Sequence, residues 1–228
     1  MYFYYDSTYI LVMIGFALVM WAQYSVTNTF NKYNELPTKR SMTGKQAAEL
    51  MLQATGLSDV RVEHTPGNLS DHYDPRGKIL RLSDSTYQST SVAAVAVAAH
   101  ECGHALQDAE GYLFLKVRTA IVPITNIGSQ LAMPMIFIGL ILNMMQLVKI
   151  GIIAFATVLV FQLVTLPVEL NASHRALRIL TTHQVFAEDE IPAARAVLRA
   201  AAFTYVAATL NSALTLLRFI LLSNRRRD

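Results

Sequence analysis

The run Ser91-Val92-Ala93-Ala94-Val95-Ala96-Val97-Ala98-Ala99-His100-Glu101-Cys102-Gly103-His104-Ala105-Leu106-Gln107-Asp108 opens on small and β-branched apolar residues, then sets two histidines four apart. A serine or threonine within Ser89–Ser91 is placed to cap a helix, and no proline interrupts the run from Val92 to Asp108. The half before His100 is apolar all round and too short to cross a bilayer, so it belongs inside a protein core. On a helix, residues four apart share a face, and the imidazoles of His100 and His104 can reach one metal ion. Zinc suits neutral imidazole nitrogen, and Glu101, beside the first histidine, can reach a water on that metal. The plainer alternative is a pair of surface histidines on an ordinary helix. A buried helix, however, has to pair two histidines and a carboxylate with something, because burying them unpaired is costly. A metal does this with the fewest groups.

Outward from this stretch, composition points to a membrane. The chain is 53% hydrophobic and 15% charged, with a mean hydropathy of +0.35. Its charges are unevenly spread: Ser7–Asn31, Thr119–Val148, Ile150–Val168 and Ala200–Leu217 contain none. A helix needs about 20 apolar residues to cross the hydrocarbon core, so four transmembrane helices are expected near 8–27, 120–147, 150–168 and 198–222. The first lacks a basic region ahead of it and is followed by Gln23-Tyr24 rather than a small-x-small cleavage site, so it reads as a retained span and not a signal peptide. Tyr2, Phe3, Tyr4, Tyr5 and Tyr9 at one end, with Trp21 and Tyr24 at the other, suit interfacial anchors. The second carries Pro123, Asn126, Gln130, Pro134 and Asn143, as a kinked helix with amides bonding its neighbours would. A transporter usually places ionisable groups near the midplane, and these runs have none. The net charge of +3 comes from residues flanking spans, such as Lys116, Arg118, Arg195, Arg199 and Arg218, which reads as anchoring rather than a nucleic-acid surface.

Residues 28–118 have a soluble composition. Asn31–Arg40 reads as a linker; Ser41-Met42-Thr43 starts a helix through Thr55, stopped by Gly56. Val60–Glu63 and Lys78–Leu82 read as strands, separated by turns at Pro66-Gly67-Asn68 and Asp74-Pro75-Arg76-Gly77, and Ser83–Ser89 as a loop. Lys78–Leu82 is either a substrate-aligning edge strand, able to take an extended peptide by β-augmentation, or part of a plain structural hairpin. Cys102, the single cysteine, forbids an intramolecular disulfide and falls off the ligand face, as small filler.

A catalytic zinc site uses three protein ligands plus water. Glu169, His174, His183, Glu188, Asp189 and Glu190 come after the motif. Glu169 stands where the third span ends, after 19 uncharged residues, and a return through a transmembrane hairpin delivers it to the membrane face of His100 and His104. Its alternative is an ion pair with Arg175. Glu188–Glu190, ahead of Pro192, read as a solvated helix start, and His174 and His183 as surface groups or groups behind the ligands.

A His-Glu-x-x-His helix, a transmembrane hairpin and then Glu-x-x-Ala-Asp is the layout of integral-membrane gluzincins such as HtpX and the CaaX prenyl proteases. Here Glu169 and Ala172 match, and Ser173 replaces the aspartate that would orient a ligand histidine. Over nearly its whole length the chain more closely resembles the YugP-like neutral zinc metallopeptidases. Leu69-Ser70-Asp71-His72-Tyr73-Asp74-Pro75, Ala98–Ala105, Phe161–Glu169 and Thr204-Tyr205-Val206-Ala207-Ala208 carry that resemblance.

The expected fold is mainly α and integral to the membrane, with about four transmembrane helices and a small α+β gluzincin-like catalytic domain. Its parts are a first transmembrane helix (1–30), a catalytic domain with the zinc-binding helix (31–118), a transmembrane hairpin (119–168), a catalytic segment with the third ligand (169–197), and a last transmembrane helix with its basic tail (198–228). The expected partners are one zinc ion, held by His100, His104 and Glu169, a peptide or membrane-protein substrate, and the lipid bilayer, with no nucleic acid. Glu101 is the expected general base of peptide hydrolysis; Tyr73, Tyr112, His174, Arg175 and Tyr205 all stand as donors to the oxyanion. A zinc-binding scaffold without catalysis is the competing class, and it has no use for Glu101. Ten basic residues near span ends on the catalytic side, from Lys32 to Arg199, outnumber Lys149 (placed in the hairpin turn) and Arg225–Arg227 on the other, which leans the active site towards the cytoplasm.

Overall fold

The computed structural model describes residues 7–225. Seven helices and three strands run in the order α1 (Tyr9–Asn34), α2 (Gly44–Ala54), β1 (Arg61–His64), β2 (His72–Asp74), β3 (Ile79–Leu82), α3 (Asp84–Tyr87), α4 (Val92–Ala109), α5 (Leu113–Ile141), α6 (Met145–Thr182) and α7 (Ile191–Arg225). The aromatic anchors from Tyr2 to Tyr5 and the tail residues Arg226 and Arg227 lie outside the described residues. The chain gathers into two units, one of Met1–Gln23, Lys116–Leu166 and Thr204–Asp228, the other of Tyr24–Leu115 and Pro167–Phe203.

The first unit holds the apolar parts of α1, α5, α6 and α7, all long and apolar enough to span a bilayer. Phe16, Trp21, Ile127, Phe137, Ile153 and Leu163 all point outward, an apolar surface far larger than a protein dissolved in water carries. Close helix approach relies on small residues: a methyl on Gly15 would run into Asn211 Oδ1, and Arg218 stacks 4.4 Å from the centre of the Tyr9 ring.

Each of the four helices runs past at least one expected span boundary, because once formed a helix continues through polar residues until a breaker stops it, whereas α5 ends at Ile141, short of the expected 147. Thus α1 reaches Asn34, into the expected linker, and α6 runs on through Thr182, so Glu169 lies inside a helix rather than at its end. Pro123 and Pro134 sit within a continuous α5. The hairpin turn is Leu142–Met144, with Asn143 at φ 58°, a left-handed conformation that asparagine tolerates. Lys149, expected in that turn, belongs to α6.

The second unit is built around α4. Ser91 caps it, its Oγ accepting from Ala94 N at 3.1 Å, and its apolar half is buried against Met51, Leu80, Leu82, Leu180 and Val185. Thr43 caps α2 in a reciprocal box with Gln46, and Gly56 at φ 77° ends it. The sheet order is β1-β3-β2, with β1 parallel and β2 antiparallel to β3. β3 is therefore the central strand, and its backbone groups are taken on both sides. Of the two readings of Lys78–Leu82, the one that offers an edge to a peptide fails, because His72–Asp74, whose last residue reads as the start of a turn, forms β2 and covers it. The loop Ser83–Ser89 contains the single-turn helix α3.

Candidate metal centre

The site lies wholly within the second unit, where α4 and α6 come together. Their approach depends on Gly103, which faces α6: a Cβ there would lie 2.5 Å from the Ala172 carbonyl oxygen and 3.2 Å from its Cα. One turn of α4 on either side of this contact, and the facing turn of α6, then meet side chain to side chain.

His100 Nε2 lies 3.2 Å and His104 Nε2 3.6 Å from the same oxygen, Oε2 of Glu169. One donor atom from each of the three residues falls within 4.8 Å of the others. Tetrahedral zinc with bonds of about 2.1 Å places its ligand atoms about 3.4 Å apart, so the separations to Glu169 fit such an ion between them. Glu169 is 2% exposed, and the imidazole side chains are 15% and 12% exposed, which leaves the site shielded but reachable. Burial disfavours a charged His104, yet the adjoining Glu169 and Glu101 carboxylates outweigh it and hold its pKa above the usual histidine value.

Behind each imidazole stands a partner for the other ring nitrogen. Ser173 Oγ lies 3.2 Å from His100 Nδ1, and Gln107 Oε1 lies 3.0 Å from His104 Nδ1. The serine that replaces an aspartate of the gluzincin pattern thus still reaches a candidate ligand. Gln107 and Asn171 were not among the sequence candidates. The available signal was spacing: Gln107 stands one turn after His104 on the same helical face. Glu101 is buried at 7% exposure in the turn that carries both histidines. Cys102 points to the other side, against α2, with Sγ 3.8 Å from Ala48 O, and burial pushes its thiol pKa up.

Other sequence candidates have different places. Arg175 does not pair with Glu169; its Nη2 meets Glu110 Oε2 at 2.7 Å and its Nε donates to Asn171 Oδ1 at 2.7 Å. Tyr73 donates to Asp108 Oδ2 at 3.0 Å, and burial, then that bond, push its pKa above the ordinary phenol range. His174 is exposed. Of the expected solvated helix start, Glu188 and Asp189 are exposed, with Asp189 paired to Lys39 at 2.7 Å. Glu190 departs from that reading: it is buried, and its carboxylate accepts from Lys39 N and Ala187 N, closing the start of α7.

A family described as "Putative neutral zinc metallopeptidase" matches residues 8–224. A protein of Bacillus subtilis (strain 168) described as "Putative membrane protease YugP" is 42% identical over 219 residues, which cover 96% of this chain and 97% of that protein. No solved structure matches the chain.

Proposed function

The chain belongs to the neutral zinc metallopeptidase family, and on that premise we propose that it is an integral-membrane zinc endopeptidase with a gluzincin-type centre. One observation carries the reading: two imidazole nitrogens four residues apart on α4 converge, at 3.2 and 3.6 Å, on one carboxylate oxygen of α6. His100, His104 and Glu169 hold the metal, one ion per chain. Zinc, when bound, supplies the Lewis acidity that polarises a peptide carbonyl and makes a water acidic. Glu101 is the general base: its carboxylate takes the proton that the attacking water gives up and passes it to the amine leaving from the broken C–N bond. The partly shielded site keeps bulk water from competing with that transfer.

The substrate is a peptide or a membrane protein, and the enzyme works beside the bilayer that its four apolar helices span. Segments 31–118 and 169–197 form the catalytic part; 1–30, 119–168 and 198–228 carry the spans. The excess of Lys and Arg beside that part favours the cytoplasmic side for it.

The test compares the purified protein with Glu101→Gln, measuring bound zinc and cleavage of an unstructured peptide. Both should bind zinc, and the variant should cleave at least about 100-fold more slowly. Bound zinc with no Glu101-dependent cleavage of peptide or membrane-protein substrates would leave a zinc-holding membrane scaffold instead.

A further inference from the structure

Four side chains connect the rim of the site to His104. Arg175 of α6 pairs with Glu110, the C-cap residue of α4, and donates through Nε to Asn171 Oδ1 at 2.7 Å. Asn171 Oδ1 also accepts from Gln107 Nε2 at 3.0 Å. The same Nε2 donates to the backbone carbonyl of Val168 at 2.8 Å, and Gln107 Oε1 faces His104 Nδ1 at 3.0 Å. Gln107 is fully buried.

The direction of every bond in this chain is set by its ends. A guanidinium can only donate, so the atom of Asn171 facing Arg175 is its oxygen. A backbone carbonyl can only accept, so the atom of Gln107 facing Val168 is its nitrogen. Both constraints orient the Gln107 amide the same way and leave its oxygen towards His104. An amide oxygen cannot donate, so His104 Nδ1 carries a proton, and in the neutral ring the lone pair is then on Nε2, the atom facing Glu169.

We propose that Arg175, Asn171 and Gln107 form a directional hydrogen-bond relay that holds His104 in its Nδ1–H tautomer and aims Nε2 at the metal. The proposal rests on His104 being a metal ligand. These are positioning residues, because they act on the ion only through His104. Arg175, a sequence candidate for oxyanion stabilisation, is assigned instead to orienting Asn171. The tie to Glu110 adds a second effect, since it joins α4 to α6 nearly two turns beyond the ligands and limits rotation of either helix.

The experiment measures zinc affinity of the full-length protein in detergent by competition with a chromogenic chelator. It compares wild type with Gln107→Leu, Arg175→Met and Arg175→Lys, and helicity and thermal melting report folding. Removing a direct partner of a ligand histidine typically costs about 10- to 100-fold in metal affinity, the loss expected for Gln107→Leu. Arg175→Met, two residues further out, should lose about 3- to 10-fold, and Arg175→Lys, which still donates, should stay near wild type. If Gln107→Leu does not fold, the Arg175 pair decides. A second reading uses ¹⁵N-histidine spectra of the metal-free protein, taken at a pH where the spectra themselves report neutral rings. Wild type should show one Nδ1–H form for His104, and Arg175→Met a mixture of the two tautomers. Wild-type affinity and an unmixed tautomer in Arg175→Met would overturn the relay. A wild-type protein that binds no zinc would instead overturn the metallopeptidase reading, while the tautomer measurement still decides the relay.

Discussion

Replacing Gly103 by alanine sets two effects of opposite sign against each other. Glycine inside a helix costs roughly 0.5–1 kcal/mol relative to alanine, so helix propensity alone makes Gly103→Ala stabilising. The contact with α6 says otherwise. The new Cβ would stand 2.5 Å from Ala172 O, 3.1 Å from its C and 3.2 Å from its Cα, all of them backbone atoms that cannot rotate away. Restoring ordinary contact of about 3.5 Å requires the two helices to part by roughly 1 Å. The separations of 3.2 and 3.6 Å between the imidazoles and Glu169 would then open to roughly 4 Å or more, whereas zinc distances tolerate only about 0.2 Å. Overpacking of this kind costs about 1–3 kcal/mol. Charged to the site rather than to the fold, that is a loss of roughly 5- to 150-fold in zinc affinity. The propensity gain can hide the damage in a melting curve, so the decisive assay is zinc titration against a competing chelator, with melting as the control for folding. Wild-type zinc affinity in Gly103→Ala would refute the view that helix proximity at Gly103 sets the metal geometry.

Four further expectations concern the centre, the topology and the single cysteine. His100→Ala, His104→Ala and Glu169→Ala should each lower bound zinc measured by elemental analysis; full zinc and activity in Glu169→Ala would move the third ligand elsewhere. Ser173→Ala should weaken zinc binding about 10- to 100-fold at most, since Ser173 touches His100 rather than the ion, and complete loss of metal without unfolding would contradict that role. A cysteine placed after Arg227, in a background lacking Cys102, should be labelled on intact cells by a membrane-impermeant maleimide if the catalytic part is cytoplasmic. Labelling only after lysis would put that part outside. Cys102 itself, fully covered and with its thiol pKa pushed up by burial, should resist the same reagent in the native protein and react once it is denatured.

The sequence by itself determined everything that depends on neighbours along the chain. Uncharged runs long enough for a bilayer mark the four apolar helices, because hydrocarbon thickness sets the required length whatever the packing. The serine ahead of Val92, the all-round apolar half of α4, and the four-residue spacing of His100 and His104 are local as well, and each holds in the structure. Tertiary structure decided what local pattern leaves free. Whether Lys78–Leu82 is an edge or a central strand depends on which segments pair with it, and the three-residue β2 is too short and too polar to announce itself. Helix ends moved for a related reason: elongation is cheap once a helix exists, so α6 carries on through Glu169 to Thr182 rather than ending with its apolar run. Among several acidic and histidine candidates the hairpin return favours Glu169 by sequence, but it is the contact of Gly103 with Ala172 that brings its carboxylate against two imidazoles 65 and 69 residues away. Gln107 and Asn171 were invisible for the same cause. An amide has no role until its partners are fixed in space, and those partners, Val168 and Arg175, belong to a different helix from Gln107.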